Sequence, residues 1–123
     1  MSFSLSTTPT ALAGTLVSIE CNAYAENNVS NDSSGKLYQI KADNSGNVDA
    51  PAFLKISDSA QTVVGTTHAD ILVEVPPGET VNYIIASGWT YSSGLSVWCT
   101  SAPETSSNSP LGYAVAITLL VST

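Results

Sequence analysis

The chain has 123 residues, ten acidic side chains against three lysines, no arginine, and a formal net charge of −7 at pH 7. One domain fits that length, and the charged fraction of 11% is low beside the ~25% usual for globular proteins. Such a chain is repelled by phosphate backbones and anionic lipid surfaces, so neither nucleic acid nor membrane is expected as a partner. No window approaches the ~20 apolar residues of a membrane-spanning helix.

Met1 to Gly14 is small and polar, with Pro9 and Gly14 as breakers. It reads as an N-terminal arm, either frayed or docked on a neighbouring subunit, ahead of a domain covering residues 15–123. It lacks a basic start followed by an apolar block, so no signal peptide is expected. Thr15 to Ala25 is the first strand, with Val17, Ile19, Cys21 and Ala23 alternating with Ser18, Glu20 and Asn22. Glu26 to Ser34 is a loop.

Gly35 to Ser59 reads as two strands joined by the polar turn Asp43-Asn44-Ser45-Gly46-Asn47. Tyr38, Ile40 and Ala42 form the buried face of one strand, and Ala52, Leu54 and Ile56 that of the other. All three lysines lie in this unit, and on that pairing Lys41 and Lys55 face outward. After a connection through Val63-Val64-Gly65, Asp70 to Ala86 reads as a hairpin closed by Pro76-Pro77-Gly78-Glu79. Gly88 to Gly94 is a glycine-bounded loop carrying Trp89 and Tyr91. These rings either stack on a sugar or a partner, or fold back onto the core. Leu95, Val97 and Cys99 alternate with Ser96, Trp98 and Thr100. Ala102 to Pro110 is a loop, and a last strand carries Tyr113, Val115, Ile117, Leu119 and Val121 on one face. The expected fold is all-β: a single-domain antiparallel sandwich, jelly-roll or Ig-like, of about seven to eight strands.

Alternation also shows which large apolar residues fall on the outward face: Phe53, Leu72, Ile84, Trp98 and Leu120. Either they are scattered or covered by loops and the second sheet, or several gather as an interface core. Catalytic motifs are not found. His68 and Asp70 sit two apart without a nucleophile motif, and the carboxylates are dispersed. Asp43, Asn44, Asn47 and Asp49 lack the ordered spacing of a calcium loop and are adequate turn residues. Cys21 and Cys99 are expected as buried free thiols rather than a disulfide or metal pair. No catalytic residue, cofactor or metal site is therefore expected.

The order of segments resembles a group of small tailed-phage virion proteins. The resemblance is carried by Leu37-Tyr38-Gln39-Ile40-Lys41-Ala42, Ala52-Phe53-Leu54-Lys55-Ile56, Val64-Gly65-Thr66, Val75-Pro76-Pro77-Gly78 and Gly94-Leu95-Ser96. It implies a capsid decoration (cement) protein, made in the host cytoplasm and located on the virion surface. Its implied partners are the major capsid protein and further copies of itself, in a homotrimer. The competing expectation is a receptor- or glycan-binding spike or fibre module using Trp89, Tyr91 and Trp98. A small hydrolase built on the carboxylates is the third.

Overall fold

A computed structural model describes residues 14–122, so the N-terminal arm lies outside the described residues apart from Gly14. Seven strands follow: β1 (Thr15–Cys21), β2 (Gly35–Asp43), β3 (Ala52–Asp58), β4 (Ile71–Val75), β5 (Thr80–Tyr91), β6 (Leu95–Thr100) and β7 (Val115–Ser122). They form a four-stranded sheet in the order β1-β7-β2-β5 and a three-stranded sheet in the order β4-β3-β6. Every pairing is antiparallel.

The pairing is nested, which identifies the path of the chain. β3 pairs with β4, β2 with β5, and β1 with β7. Between β1 and β2, the segment 22–29 runs beside β6: Cys99 N–H donates to the Asn22 carbonyl, Glu26 and Val97 exchange backbone bonds, and Val29 N–H donates to Leu95. First partners last, second partners second-to-last, and so inward. Rolled over itself, that ribbon gains the β2–β7 and β3–β6 pairs and becomes a jelly roll. The segment 22–29 stands in for an eighth strand.

The expected sandwich is present, but both expected hairpins are overturned. β2 and β3 do not pair; they lie in different sheets, as do β4 and β5. Their short connections are arches from one sheet to the other. What makes an arch of Asp43–Pro51 is a pair of asparagines. Asn44 is fully buried, and its Nδ2 donates to the carbonyls of Ala50, Val75 and Pro76 at 3.0, 3.3 and 3.2 Å. Its Oδ1 accepts from Asn47 Nδ2, which also donates to the Tyr113 carbonyl, each at 2.8 Å. Tyr113 N–H returns a bond to Asn47 Oδ1, and Gly78 N–H donates to the Asn47 carbonyl. Three inter-sheet crossovers are thus fastened at one end of the sandwich. Buried amides supply both donors and acceptors there, which apolar side chains cannot.

β2 departs from strict alternation. Leu37 pairs with Val121 and Gln39 with Leu120, so Tyr38 is an extra residue, a β-bulge. The bulge shifts the phase by one: Leu37 enters the core with Ile40 and Ala42, and Tyr38, expected there, is only half-buried. On the other side, Leu37 pairs with Trp89 and Gln39 with Ile84, so β5 makes an excursion over residues 85–88. Gly88 closes it at φ +80°, where a Cβ would stand 2.9 Å from the Tyr38 ring. Positive φ and close approach both require glycine there.

Candidate functional site

The two outer faces of the sandwich differ. On the three-stranded sheet, Phe53, Lys55 and Ser57 of β3 point outward, as alternation predicts, yet Lys55 is 1% exposed. Lys55 Nζ donates to the Glu104 carbonyl at 2.7 Å, which draws residues 101–110 across this face as a roof. His68, itself exposed, ties the roof to the 59–70 connection through Thr105 Oγ1 at 2.9 Å from Nδ1. Loss of hydration pulls the Lys55 pKa below the ordinary lysine value, against the opposing pull of Glu104.

Trp98 pairs with Lys55 on this covered face and is 1% exposed. Its reading as an interface residue is corrected: it is a core residue, because β6 is covered on both sides. The exposed-loop reading of Tyr91 is corrected too. Residues 88–91 belong to β5, the turn is only Ser92–Gly94, and Tyr91 is fully buried. Trp89 lies in the inward row with Leu37 and Val121, half-buried against the core, 6.4 Å from Tyr91 between ring centroids. Of the remaining candidates here, Phe53 is half-buried, and Leu72 on the edge strand β4 is 50% exposed.

The turn that places Tyr91 is held by Asp58 at the end of β3. Its carboxylate accepts from the N–H groups of Ser92, Ser93 and Gly94, at 3.0, 2.7 and 3.3 Å, and from the Ser92 hydroxyl. Burial by itself would raise this carboxyl; the N–H groups of Ser93, Ser92 and Gly94 outweigh it, and the pKa lies below the ordinary value.

The four-stranded sheet carries no such roof among the described residues. Across its outer face the register aligns Leu16, Leu120, Gln39 and Ile84 in one row. Leu16 is 65% and Ile84 60% exposed, and Leu120 is half-buried between them. The row crosses three strand spacings, about 14 Å. Gln39 is held in line by donating Nε2 to Asn82 Oδ1 at 2.9 Å. Lys36 and Lys41, two of the three lysines, flank Gln39 along β2. Glu20 and Asp43 sit in the row farthest from the leucines, with Ala116 and Thr80. The result is an apolar stripe with a cationic border on an acidic protein. Leu120 and Ile84 were expected as interface candidates. Leu16 was missed, although it shares parity with Ser18 and Glu20. Tyr83, 47% exposed, was missed because it lies on the inward face but at the sheet's edge. The five outward candidates do not share one face: two lie on this bare sheet, three on the roofed one.

The asparagines of the Asp43–Pro51 arch and the two cysteines have structural roles. The Asn44 and Asn47 side-chain oxygens accept from N–H groups at the arches. Cys21 and Cys99 are free and fully buried. A hydrogen bond with the Cys99 thiol, followed by burial, pushes the Cys21 thiol far above the ordinary range, which keeps it protonated and unreactive. Among the described residues, no group of three or more His, Cys, Asp or Glu is placed to hold a metal ion. Comparison with protein-family models, with curated proteins and with solved structures finds no match.

Proposed function

We propose that this chain is a structural virion protein, a decoration protein that seats on the outer shell of a tailed-phage head and stabilises it. The observation that carries this reading is the four-stranded sheet, roofless among the described residues, where exposed Leu16 and Ile84 and half-buried Leu120 share a row with Gln39 and are bordered by Lys36 and Lys41. Desolvating such a row against a partner is favourable, and the lysines select a surface carrying carboxylates. Further support comes from where the phage-like segments fall. Val75-Pro76-Pro77-Gly78 is an inter-sheet arch and Gly94-Leu95 leads from a turn into β6, so the resemblance rests on residues that set the fold. Jelly rolls build viral shells as well as lectins, and that likeness is one of architecture alone. The glycan-binding alternative relied on three exposed rings, of which Tyr91 and Trp98 are buried.

The test uses heads of the phage that carries this protein, assembled without it. Purified wild-type chain is expected to cosediment with them saturably and to raise the temperature at which they open. A Leu16→Asp, Ile84→Asp chain is expected to do neither while keeping its own fold by circular dichroism. Absence of wild-type binding, joined to binding on a glycan array, would move the protein to the receptor-binding class.

A further inference from the structure

The side of the sandwich where β5 and β4 lie is its open side. β4 is guarded: it has five residues, one of them Glu74, and Pro76-Pro77 follows it. β5 is not. Among the described residues it is an edge strand, twelve residues long, with no charge and no proline. Its straight part, Thr80–Ile84, ends at the excursion over residues 85–88. On its inward face Val81 and Ile85 are half-buried and Tyr83 is 47% exposed, so the core is unsealed along this edge. Edge strands ordinarily carry a lysine, a proline or an inward charge to prevent pairing with another chain. This one carries none.

The same chain contains a segment that fits. Ser2–Thr8 reads Ser-Phe-Ser-Leu-Ser-Thr-Thr, with Phe3 and Leu5 alternating with serines, and Pro9 follows. It has no charge, so it adds nothing at the contact to the repulsion between two copies of a protein of net charge −7. We infer that Ser2–Thr8 of one copy adds as a strand to the β5 edge of a second copy, with Phe3 and Leu5 over Val81 and Tyr83. Main-chain hydrogen bonds supply the pairing and the two apolar side chains its register.

Reach decides between the chain's own edge and a neighbour's. The described chain starts at Gly14, at the head of β1, on the opposite edge of the same sheet. A strand beside its own β5 would leave Pro9–Gly14 to cross four strand spacings, about 19 Å. Those six residues extend to about 20 Å, with nothing left to clear the side chains of the outer face. A neighbour whose β5 edge faces this β1 edge is reached directly. Each copy then gives from one edge and receives at the other, a head-to-tail arrangement that closes as a reciprocal pair or a ring.

The inference does not rest on the virion reading, and its test needs no capsid. Light scattering of the purified chain, 12.7 kDa per copy, is expected to give a closed oligomer. Leu5→Asp and Ser4→Pro, both in the arm, and Tyr83→Lys at the edge are each expected to give monomers with unchanged circular dichroism. An equimolar mixture of L5D and Y83K is then expected to form a dimer, since the first keeps a sound edge and the second a sound arm. A monomeric wild type, an L5D or S4P chain of wild-type mass, or a mixture that stays monomeric overturns the inference. A chain that oligomerises as described and yet ignores phage heads leaves it standing and removes the decoration role instead.

Discussion

The two sheets of this sandwich follow the same alternation and end up with opposite surfaces. On the three-stranded sheet the outward residues Lys55 and Trp98 are covered, both 1% exposed, and Lys55 is tied to the 101–110 loop. On the four-stranded sheet the outward residues Leu16 and Ile84 stay 65% and 60% exposed. Alternation assigns a side chain to a face of its sheet; it does not say what lies over that face. The difference divides the described residues into a covered outer face and an uncovered one, and the decoration role proposed above would use the second. Large apolar residues belong to both, and only their covering tells them apart.

The sharpest way to break this comparison is Trp98→Ala. It removes a large buried side chain and is expected to destabilise the fold by about 3–5 kcal/mol in urea denaturation. A Trp98→Ala chain as stable as the wild type would place Trp98 at the surface and overturn the covered reading of this face.

Asn44→Ala comes next. It strands the carbonyls of Ala50, Val75 and Pro76 and deprives Asn47 Nδ2 of one of its two acceptors, at an expected cost of about 3 kcal/mol. Hydrogen exchange is expected to show early opening at Gly78 and Tyr113, whose N–H groups bond to Asn47. If exchange instead rises uniformly, the arches are not fastened as one unit.

Those arches also mark how much of the molecule was legible beforehand. Strand positions and the sandwich class follow from period-two alternation punctuated by Gly, Pro and Asn. Pairing does not. Asp43–Pro51 and Pro76–Glu79 have the length and composition of hairpin turns, and whether a short turn folds back in its own sheet or arches to the other depends on distant carbonyls. Asn44 looked like an ordinary turn residue because its partners at Val75 and Pro76 are some thirty residues away. The bulge at Tyr38 was hidden for a related reason: one extra residue leaves no local mark and reverses every assignment before it. At the candidate site, Ile84 and Leu120 were visible by parity, as Leu16 should have been. Their union in one row required the register.

A smaller effect sharpens the comparison at the β5–β6 turn. The Asp58 carboxyl has a folded pKa below its ordinary value of 3.8, so the folded state favours the ionised form. The stability it contributes is complete at neutral pH and is lost as pH falls through the depressed folded pKa. Asp43, held low by Ser45, titrates in the same region, so the informative quantity is a difference. Asp58→Asn is expected to be less stable than the wild type at pH 7, and the gap is expected to narrow steadily below about pH 4. A gap independent of pH would mean that the turn depends on the side chain's shape rather than on its charge.

The smallest expected change in stability is also the most informative about the bare sheet. Leu16→Ser and Ile84→Ser remove apolar atoms that already face solvent, so each is expected to shift stability by no more than about 0.5 kcal/mol. Because the two residues lie at opposite ends of the row, three strand spacings or about 14 Å apart, their small effects are expected to add. In the proposed decoration role the same substitutions would act on a surface buried only on attachment to the head. Each is expected to weaken attachment by roughly tenfold, the equivalent of about 1.4 kcal/mol of lost apolar contact. Separate effects on folding and on attachment are what distinguish an interface residue from a core residue. Were either serine variant to unfold like Trp98→Ala, the four-stranded sheet would have a cover of its own, and the contrast between the two faces would be lost.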